Sequence, residues 1–371
     1  MIKVLFLIHD LGQGGAEKVL VNLVNNMDLT KFEVSVIALF GGGVNEQFLR
    51  REIKYRSIFS KLLPGNSHVM KMFSPELLHR WFIKDKYDIE ISYLEGPSAR
   101  VISGCRNKTK LVSWIHVEQH TMDKLSYAFR SAKEAIDCYN RFNKTICVSE
   151  FVKKDFCSIL SYKGDATVLY NTIESEKVRS LSQEKEELLQ DDGKIRLVAV
   201  GTLKESKGYG RLLKITKKLL SENYPIHLYI LGEGSMRTDI EQYIRANDMD
   251  GEVTLLGYQT NPYKYVAKCD LFVCASFAEG FSTAVTEALI LGTPVCTVDV
   301  SGMRELLGNE NEYGIVTENN EEALYKGIKS LLDDWKILEH YKQRAKYRGN
   351  KFETRSTVAA VEEMLLDCME D

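Results

Sequence analysis

Val4-Leu5-Phe6-Leu7-Ile8 is a continuous apolar run of strand length. It leads into a glycine-rich turn, Gly12-Gln13-Gly14-Gly15, and then into a segment with Val19, Leu20, Leu23 and Val24 at helical spacing. A strand without polar alternation must be covered on both faces, and strand–turn–helix units supply that cover in parallel sheets. The pattern continues through strand-like runs at Phe32 to Phe40, Ile89 to Tyr93, Leu111 to Ile115 and Thr145 to Val148. It starts again in the second half. Arg196 to Val200 is a strand followed by Gly201, with a helix from Gly208 to Glu222. Ile226 to Leu231 runs into Gly232-Glu233-Gly234, and Val253 to Leu256, Leu271 to Cys274 and Pro294 to Val298 complete the series.

These repeats predict an α/β chain of two doubly wound parallel-sheet domains. The expected division is 1–173 for the first domain, 174–194 for a polar linker or exposed helix, and 195–350 for the second. Residues 351–371 are expected to form a C-terminal helix able to pack back on the first domain, and 321–370 reads as two charged amphipathic helices. Open parallel sheets bind ligands beyond the carboxyl ends of their strands, where the glycines lie. Two such edges across a linker would define a cleft.

The 371 residues, 44% apolar and 27% charged, suit two ordinary domains. No apolar run approaches the ~20 residues that span a bilayer, and the start of the chain does not read as a signal peptide, so a cytoplasmic protein is expected. The eight cysteines are scattered without a CxxC pair, which predicts buried free thiols. Net charge is −3, with a basic surplus in the first half and an acidic one in the second. Residues 48–86 concentrate Arg50, Arg51, Lys54, Arg56, Lys61, Lys71, Arg80, Lys84 and Lys86 among Phe59, Leu62, Leu63, Met70, Met72, Phe73, Trp81 and Phe82. This is either a contact for an anionic membrane or acceptor at the inner face of the cell membrane, or a solvated helical face with a normal core side. Nothing in the chain points to nucleic acid.

Several motifs carry chemistry. Gly12 to Gly15 can bring backbone N–H groups to an anion at a helix start, but Glu17 occupies the third glycine position of a dinucleotide fingerprint and no Gly-Lys-Ser/Thr follows. His116-Val117-Glu118-Gln119-His120 has the wrong spacing for a zinc-protease helix and lacks the cysteine half of a zinc deaminase. No metal is expected, and His116 reads as a histidine at the ligand edge of the sheet. Gly201 to Gly208 places Lys204 and Lys207 at a strand–helix turn suited to a diphosphate. Glu279-Gly280-Phe281-Ser282-Thr283 leads to Glu287, with Ser282 or Thr283 as a helix cap. A helix would hold the two carboxylates ~12 Å apart, beyond the separation that flanks one glycosidic bond. They suit two parts of one extended ligand.

In this order the motifs resemble glycosyltransferase family 4, whose fold is GT-B. The matching elements are Gly14-Gly15-Ala16-Glu17-Lys18, Trp114-Ile115-His116, Cys147-Val148-Ser149-Glu150, Leu169-Tyr170-Asn171-Thr172-Ile173, Val200-Gly201-Thr202-Leu203 with Lys207-Gly208, Leu231-Gly232-Glu233-Gly234, Leu256-Gly257-Tyr258, Glu279 with Glu287, and Val300-Ser301-Gly302-Met303-Arg304-Glu305. The resemblance implies a retaining, metal-independent transferase that moves a hexosyl or N-acetylhexosaminyl group. A nucleotide-sugar, by family frequency a UDP-sugar, would be the donor, and a glycan or lipid-linked oligosaccharide of surface polysaccharide synthesis the acceptor. No cofactor is implied.

The roles carry over by position. Glu279 would hold hydroxyls of the transferred sugar, and Glu287 the ribose. Backbone around Gly280, Phe281, Ser282 and Thr283, together with Lys207, would hold the diphosphate. Gly257 and Tyr258 would meet the base. Gly14 and Gly15 would close over the phosphates, and His116 would contact the sugar at the reacting centre. Thr202 stands where the family often has arginine, so Lys207, helped by Lys204, must supply that charge. Asn171-Thr172 replaces the usual Asn-Gly at the junction. Two alternatives remain: an epimerase or phosphorylase on the same fold, and a non-catalytic partner subunit.

Overall fold

The computed structural model describes residues 1–61, 69–162, 164–186, 188–189 and 193–370. Its contacts divide the chain into two compact units. One comprises Met1–Thr172 with Thr354–Asp371, and the other Ile173–Glu353.

The first unit is built on β1 (Ile2–Ile8), β2 (Phe32–Phe40), β3 (Lys54–Phe59), β4 (Ile89–Ser92), β5 (Lys110–Ile115), β6 (Lys144–Cys147) and β7 (Asp165–Val168). They lie in the order β3-β2-β1-β4-β5-β6-β7, and every neighbouring pair is parallel. Val4 to Ile8 in β1 are wholly buried, as expected of a central strand covered on both faces. The second unit carries β8 (Ile195–Val200), β9 (Ile226–Leu231), β10 (Val253–Gly257), β11 (Leu271–Cys274), β12 (Val295–Val298) and β13 (Ile315–Thr317). Their order is β10-β9-β8-β11-β12-β13, again parallel throughout. Leu197, Leu228, Ile230, Val273 and Cys296 belong to its core, with Leu212, Leu219, Leu324 and Ile328 from helices.

In each sheet the strand order reverses direction at one place, between β1 and β4 in the first unit and between β8 and β11 in the second. Chain leaving these strands at their carboxyl ends diverges to opposite faces, and the crevice so formed is where such sheets receive ligands. The loops in question are His9 to Gly14, Tyr93 to Gly96, Gly201 to Gly208 and Ala275 to Ser282.

Several elements differ from the sequence reading. Within 48–86, Lys54–Phe59 is the edge strand β3 and Pro75–Phe82 a short helix, so that stretch is not one helical face; Leu62 and Leu63 lie outside the described residues. Ser175–Ser182 is a helix with Val178 buried and belongs to the second unit, so the first part of the expected linker is packed structure. The C-terminal segment holds three helices, Glu321–Asp333, Trp335–Gly349 and Thr354–Glu370, in place of two. The last packs in the first unit, where the Asp28 N–H donates to Glu362 Oε1 at 2.6 Å. All eight cysteines are free thiols, and Cys157 alone is partly exposed. Among the described residues no helix is long and apolar enough to cross a membrane.

Candidate functional site

At the switch point of the second unit, the loop after β8 and the loop after β11 touch. Gly208 is left-handed, with φ of 68°, and a Cβ there would lie 1.9 Å from the Ala275 carbonyl oxygen. Only glycine admits this approach. The Phe277 N–H donates to the Ser206 carbonyl at 2.8 Å, joining the loops a second time. Their side chains then meet. Lys207 Nζ donates to Glu279 Oε1 at 2.6 Å, and Ser276 Oγ donates to the same oxygen at 2.6 Å. The Glu279 side chain is mostly buried and that of Lys207 partly exposed, so a charged pair faces a shielded edge of the sheet.

The sequence reading placed Glu279 and Glu287 on one helical ruler. The structure corrects this: the helix is Thr283–Leu291, capped by Ser282, whose Oγ accepts from the Val285 N–H. Glu279 precedes the cap and sits in the loop. The helix is buried from Val285 through Ile290, so Glu287 is a carboxylate within a core helix, 7% exposed. It accepts from Tyr263 Oη at 3.2 Å. Gly280, Phe281 and Ser282 are buried and Thr283 opens the helix. Gly302, at φ 77°, lets the Val300 to Glu305 turn approach Gly280 and Phe281. A helix start with free N–H groups beside an ammonium attracts anions.

Of the remaining second-unit candidates, Thr202 is half-buried and its carbonyl accepts from the Lys204 N–H at 2.8 Å, while the Lys204 side chain is exposed. Gly257, φ 69°, ends β10, and its carbonyl accepts from the Gly232 N–H at 2.8 Å. Tyr258 beyond it is 53% exposed.

One residue that the sequence reading passed over holds this arrangement. Arg211, 6% exposed, donates through Nε to the Ala275 carbonyl at 2.7 Å and through Nη2 to the Ser276 carbonyl at 2.8 Å. Nη1 reaches Asn319 Oδ1 at 2.8 Å, and the guanidinium stacks on the Phe277 ring at 4.3 Å. Burial lowers its pKa. In sequence it is one polar position on an amphipathic helix.

In the first unit Gly14 precedes the helix Gly15–Asn26 without a side-chain cap. The loop before it is held at Gly12, whose N–H donates to Asp10 Oδ1 at 2.7 Å and whose carbonyl accepts from Asn45 Nδ2. His9 bonds the other Asp10 oxygen, lowering the pKa of that carboxyl. His116 follows β5 and is 6% exposed. Its ring lies 4.9 Å from that of Tyr93 and 6.5 Å from that of Trp114. Burial drives its pKa down to about 3, opposed by a backbone hydrogen bond at Tyr93. His116 is therefore neutral at ordinary pH, and its Nε2 has no partner among the described residues. A buried, unpartnered acceptor beside a ligand edge is open to a hydroxyl donor.

His116, Glu118 and His120 do not form a metal cluster. The one grouping of metal-type ligands among the described residues is His79, Glu90 and Cys105, all buried in the first unit. His79 Nε2 lies 2.7 Å from Glu90 Oε2, a direct proton-sharing contact. Burial pulls the His79 pKa down, but hydrogen bonds with Cys105 and Glu90 outweigh it and raise the value to about 9.

Two parallel sheets in one chain, each with ligand loops at its switch point, are the architecture of a GT-B transferase. Residues 13–177 match the family described as Glycosyltransferase Family 4, and 182–348 match Glycosyl transferases group 1. The chain is 30% identical over 373 residues to a Campylobacter jejuni N-acetylgalactosamine-N,N'-diacetylbacillosaminyl-diphospho-undecaprenol 4-alpha-N-acetylgalactosaminyltransferase, covering 95% of this chain and 96% of that one. A second C. jejuni protein, GalNAc-alpha-(1->4)-GalNAc-alpha-(1->3)-diNAcBac-PP-undecaprenol alpha-1,4-N-acetyl-D-galactosaminyltransferase, is 27% identical with 95% of both chains covered. The structure of Anabaena HepE in complex with UDP has the same fold, with a TM-score of 0.79, 18% identity, and coverage of 99% of this chain and 100% of that one. The chain belongs to glycosyltransferase family 4.

Proposed function

We propose that this glycosyltransferase moves an N-acetylhexosamine from a UDP-sugar, with retention of anomeric configuration and without a metal, to an oligosaccharide carried on diphospho-undecaprenol. The observation that carries the donor site is the Lys207–Glu279–Ser276 cluster at the β8/β11 switch point, beside the helix capped by Ser282. Both C. jejuni relatives are named as N-acetylgalactosaminyltransferases of undecaprenol-linked substrates, which supports the choice of sugar and acceptor.

In this reading Lys207 exchanges its bond with Glu279 for the donor diphosphate. Glu279 is then free to accept from sugar hydroxyls, still oriented by Ser276. Glu287, steadied by Tyr263, accepts from the ribose, and Gly257 and Tyr258 meet the base. Gly14, Gly15 and neutral His116 serve the phosphates and sugar, with His116 Nε2 as a hydrogen-bond acceptor. No protein nucleophile is required. Stabilising the leaving diphosphate and holding the acceptor hydroxyl near the anomeric carbon lower the barrier, and a diphosphate oxygen takes the acceptor's proton. A panel of UDP- and GDP-sugars tests the donor. Saturable binding of UDP-GalNAc, lost in Lys207→Ala, is expected; no binding by any nucleotide-sugar refutes the assignment.

Membrane contact through 48–86 belongs to the same proposal. Arg100 donates to the Met70 and Phe73 carbonyls, and Arg130 to those of Lys71 and Met72. These bonds fix a turn on which Val69 and Met72 are exposed, near exposed Trp81. A cavity of about 400 Å³ carries Lys3, Lys54, Arg56 and Lys86 in its lining against Glu33 and Asp85, a positive surplus next to the segment. Flotation with phosphatidylglycerol liposomes at low and high salt tests it: binding that salt weakens is expected, and none at low salt retires the role.

A further inference from the structure

The switch point of the first unit has its own carboxylate. Glu95 follows β4 as Glu279 follows β11, and β4 and β11 are the corresponding strands of the two sheets. No motif marks it in the sequence. Gly96, at φ 81°, turns the chain immediately beyond it, under the Tyr127 ring, where a Cβ would lie 2.8 Å from the tyrosine oxygen.

Both oxygens of Glu95 are aimed at the turn that carries His116. Oε2 accepts the His116 backbone N–H at 3.1 Å, and Oε1 accepts Gln119 Nε2–H at 3.2 Å. Asp155 holds the far side of the same turn, accepting the Gln119 N–H at 2.6 Å and the His120 N–H at 3.1 Å. His120 is left-handed, φ 60°, so residues 116–120 form a tight, strained turn braced by two carboxylates. Gln119 itself is 2% exposed. Burial raises the Glu95 pKa, opposed by its backbone hydrogen bonds, Lys124 and Gln119.

The brace has a direction. The backbone bond at Tyr93 favours the protonated ring of His116, so it is a bond to an acceptor, the carbonyl. With Nε2 unpartnered, that bond falls to Nδ1–H, and the neutral ring presents Nε2 as an acceptor. Backbone and ring of His116 are thus held separately, one by Glu95 and the other by Tyr93. A half-buried carboxylate that accepts two N–H groups and faces the ligand edge does more than fill space, because an amide in its place would turn a donor toward one of them.

We propose that Glu95 is a positioning residue for the transfer reaction. Through the His116 N–H and Gln119 it fixes where His116 Nε2 points, and so sets the alignment of the transferred sugar. The inference rests on the assignment of His116 to the sugar.

The test uses the full chain and four variants, Glu95→Gln, Glu95→Asp, His116→Ala and the double Glu95→Gln/His116→Ala. UDP release from UDP-GalNAc gives kcat and KM, and the side-chain ¹⁵N shifts of His116 report the ring. Glu95→Gln is expected to lower kcat roughly 10- to 100-fold, the scale of a small misplacement at a reacting centre, with KM within about threefold. It is also expected to move the His116 ¹⁵N shifts. Glu95→Asp, which keeps the charge and both acceptors, should recover part of kcat. The double variant should be no slower than His116→Ala alone, since the brace acts only through that ring. Multiplying effects in the double variant, or unchanged kcat and ¹⁵N shifts in Glu95→Gln, overturn the proposal. Wild-type turnover in His116→Ala overturns the His116 assignment, and is distinguished from failure of the brace alone, in which His116→Ala is impaired and Glu95→Gln is not.

Discussion

Replacing Gly208 by alanine places a methyl group where the structure has a carbonyl oxygen. Two costs follow. The residue sits at φ 68°, and an L-residue in the left-handed region costs about 1–2 kcal/mol. The new Cβ would lie 1.9 Å from the Ala275 oxygen, so one of the two loops must retreat by about 1 Å; overpacking of this kind costs about 1–3 kcal/mol. The sum, roughly 2–5 kcal/mol, corresponds to a Tm lower by about 5–15 °C for a unit of this size. The larger effect falls on activity. Ala275 also accepts from Arg211, and Ser276 and Glu279 follow it, so a shift of ~1 Å there is expected to reduce kcat/KM about 100-fold. Gly210 is the internal control. It lies in the helix Tyr209–Ser221, and its added Cβ meets nothing within 4 Å. Gly210→Ala should raise stability by up to about 1 kcal/mol through helix propensity and leave turnover alone. Thermal melts and UDP-release kinetics on the pair decide the matter. If Gly208→Ala melts and turns over like Gly210→Ala, the close approach of the two loops is not what holds the Lys207–Glu279 pair.

Other expectations follow from single contacts. Arg211→Met removes three hydrogen bonds, two of them to the loop bearing Glu279, and leaves the Ala275 and Ser276 carbonyls short of a donor, so a loss of about 2–4 kcal/mol by chemical denaturation is expected, with Arg211→Lys intermediate. The His79 pKa is raised from 6.5 to about 9 by its contacts with Cys105 and Glu90, so the stability from those contacts is fully present below pH 6.5 and is lost as pH rises through about 9. Melts from pH 6 to 10 should show that alkaline decline in the wild type and a smaller one in Glu90→Gln, which should also be less stable at pH 7. Tyr263→Phe removes a hydroxyl from Glu287, and under the proposed ribose role it should weaken UDP binding several-fold in titration calorimetry with little change in kcat. Because His116 titrates near 3, the kcat–pH profile of the wild type and of His116→Gln should have the same shape between pH 5.5 and 8.

The central strands and their glycine turns were legible in the sequence because β1 and β9 are buried along most of their length and β8 at its centre, which leaves mainly apolar runs. The strands that escaped notice are peripheral or short. β3 reads Lys-Tyr-Arg-Ser-Ile-Phe and is half exposed along its length, so its composition is that of a surface helix; β13 has three residues. Glu279, Glu287 and Lys207 stood out through local spacing, yet their partners did not. The Lys207–Glu279 contact joins residues 72 apart, and the Arg211 bonds span 64 and 65, distances that only the β8–β11 adjacency closes. The His79, Glu90 and Cys105 grouping is likewise assembled by the sheet. Glu95 lacked even a local cue, since a carboxylate before Gly-Pro reads as an ordinary turn.

The helix Thr354–Glu370 belongs to the first unit although the whole second unit lies between them in the chain. Its Val358, Val361, Met364 and Leu365 are buried, and Glu362 holds the Asp28 N–H. During synthesis the seven-stranded sheet therefore leaves the ribosome missing part of its cover. At ~5–20 residues per second, the wait for the last helix is on the order of ten seconds or more. In that interval the apolar face awaiting it is exposed, while the second unit emerges whole and can finish first. Order of translation and order of completion are reversed in this chain, and a nascent-chain chaperone that shields the first unit would act on the face later covered by residues 354–370.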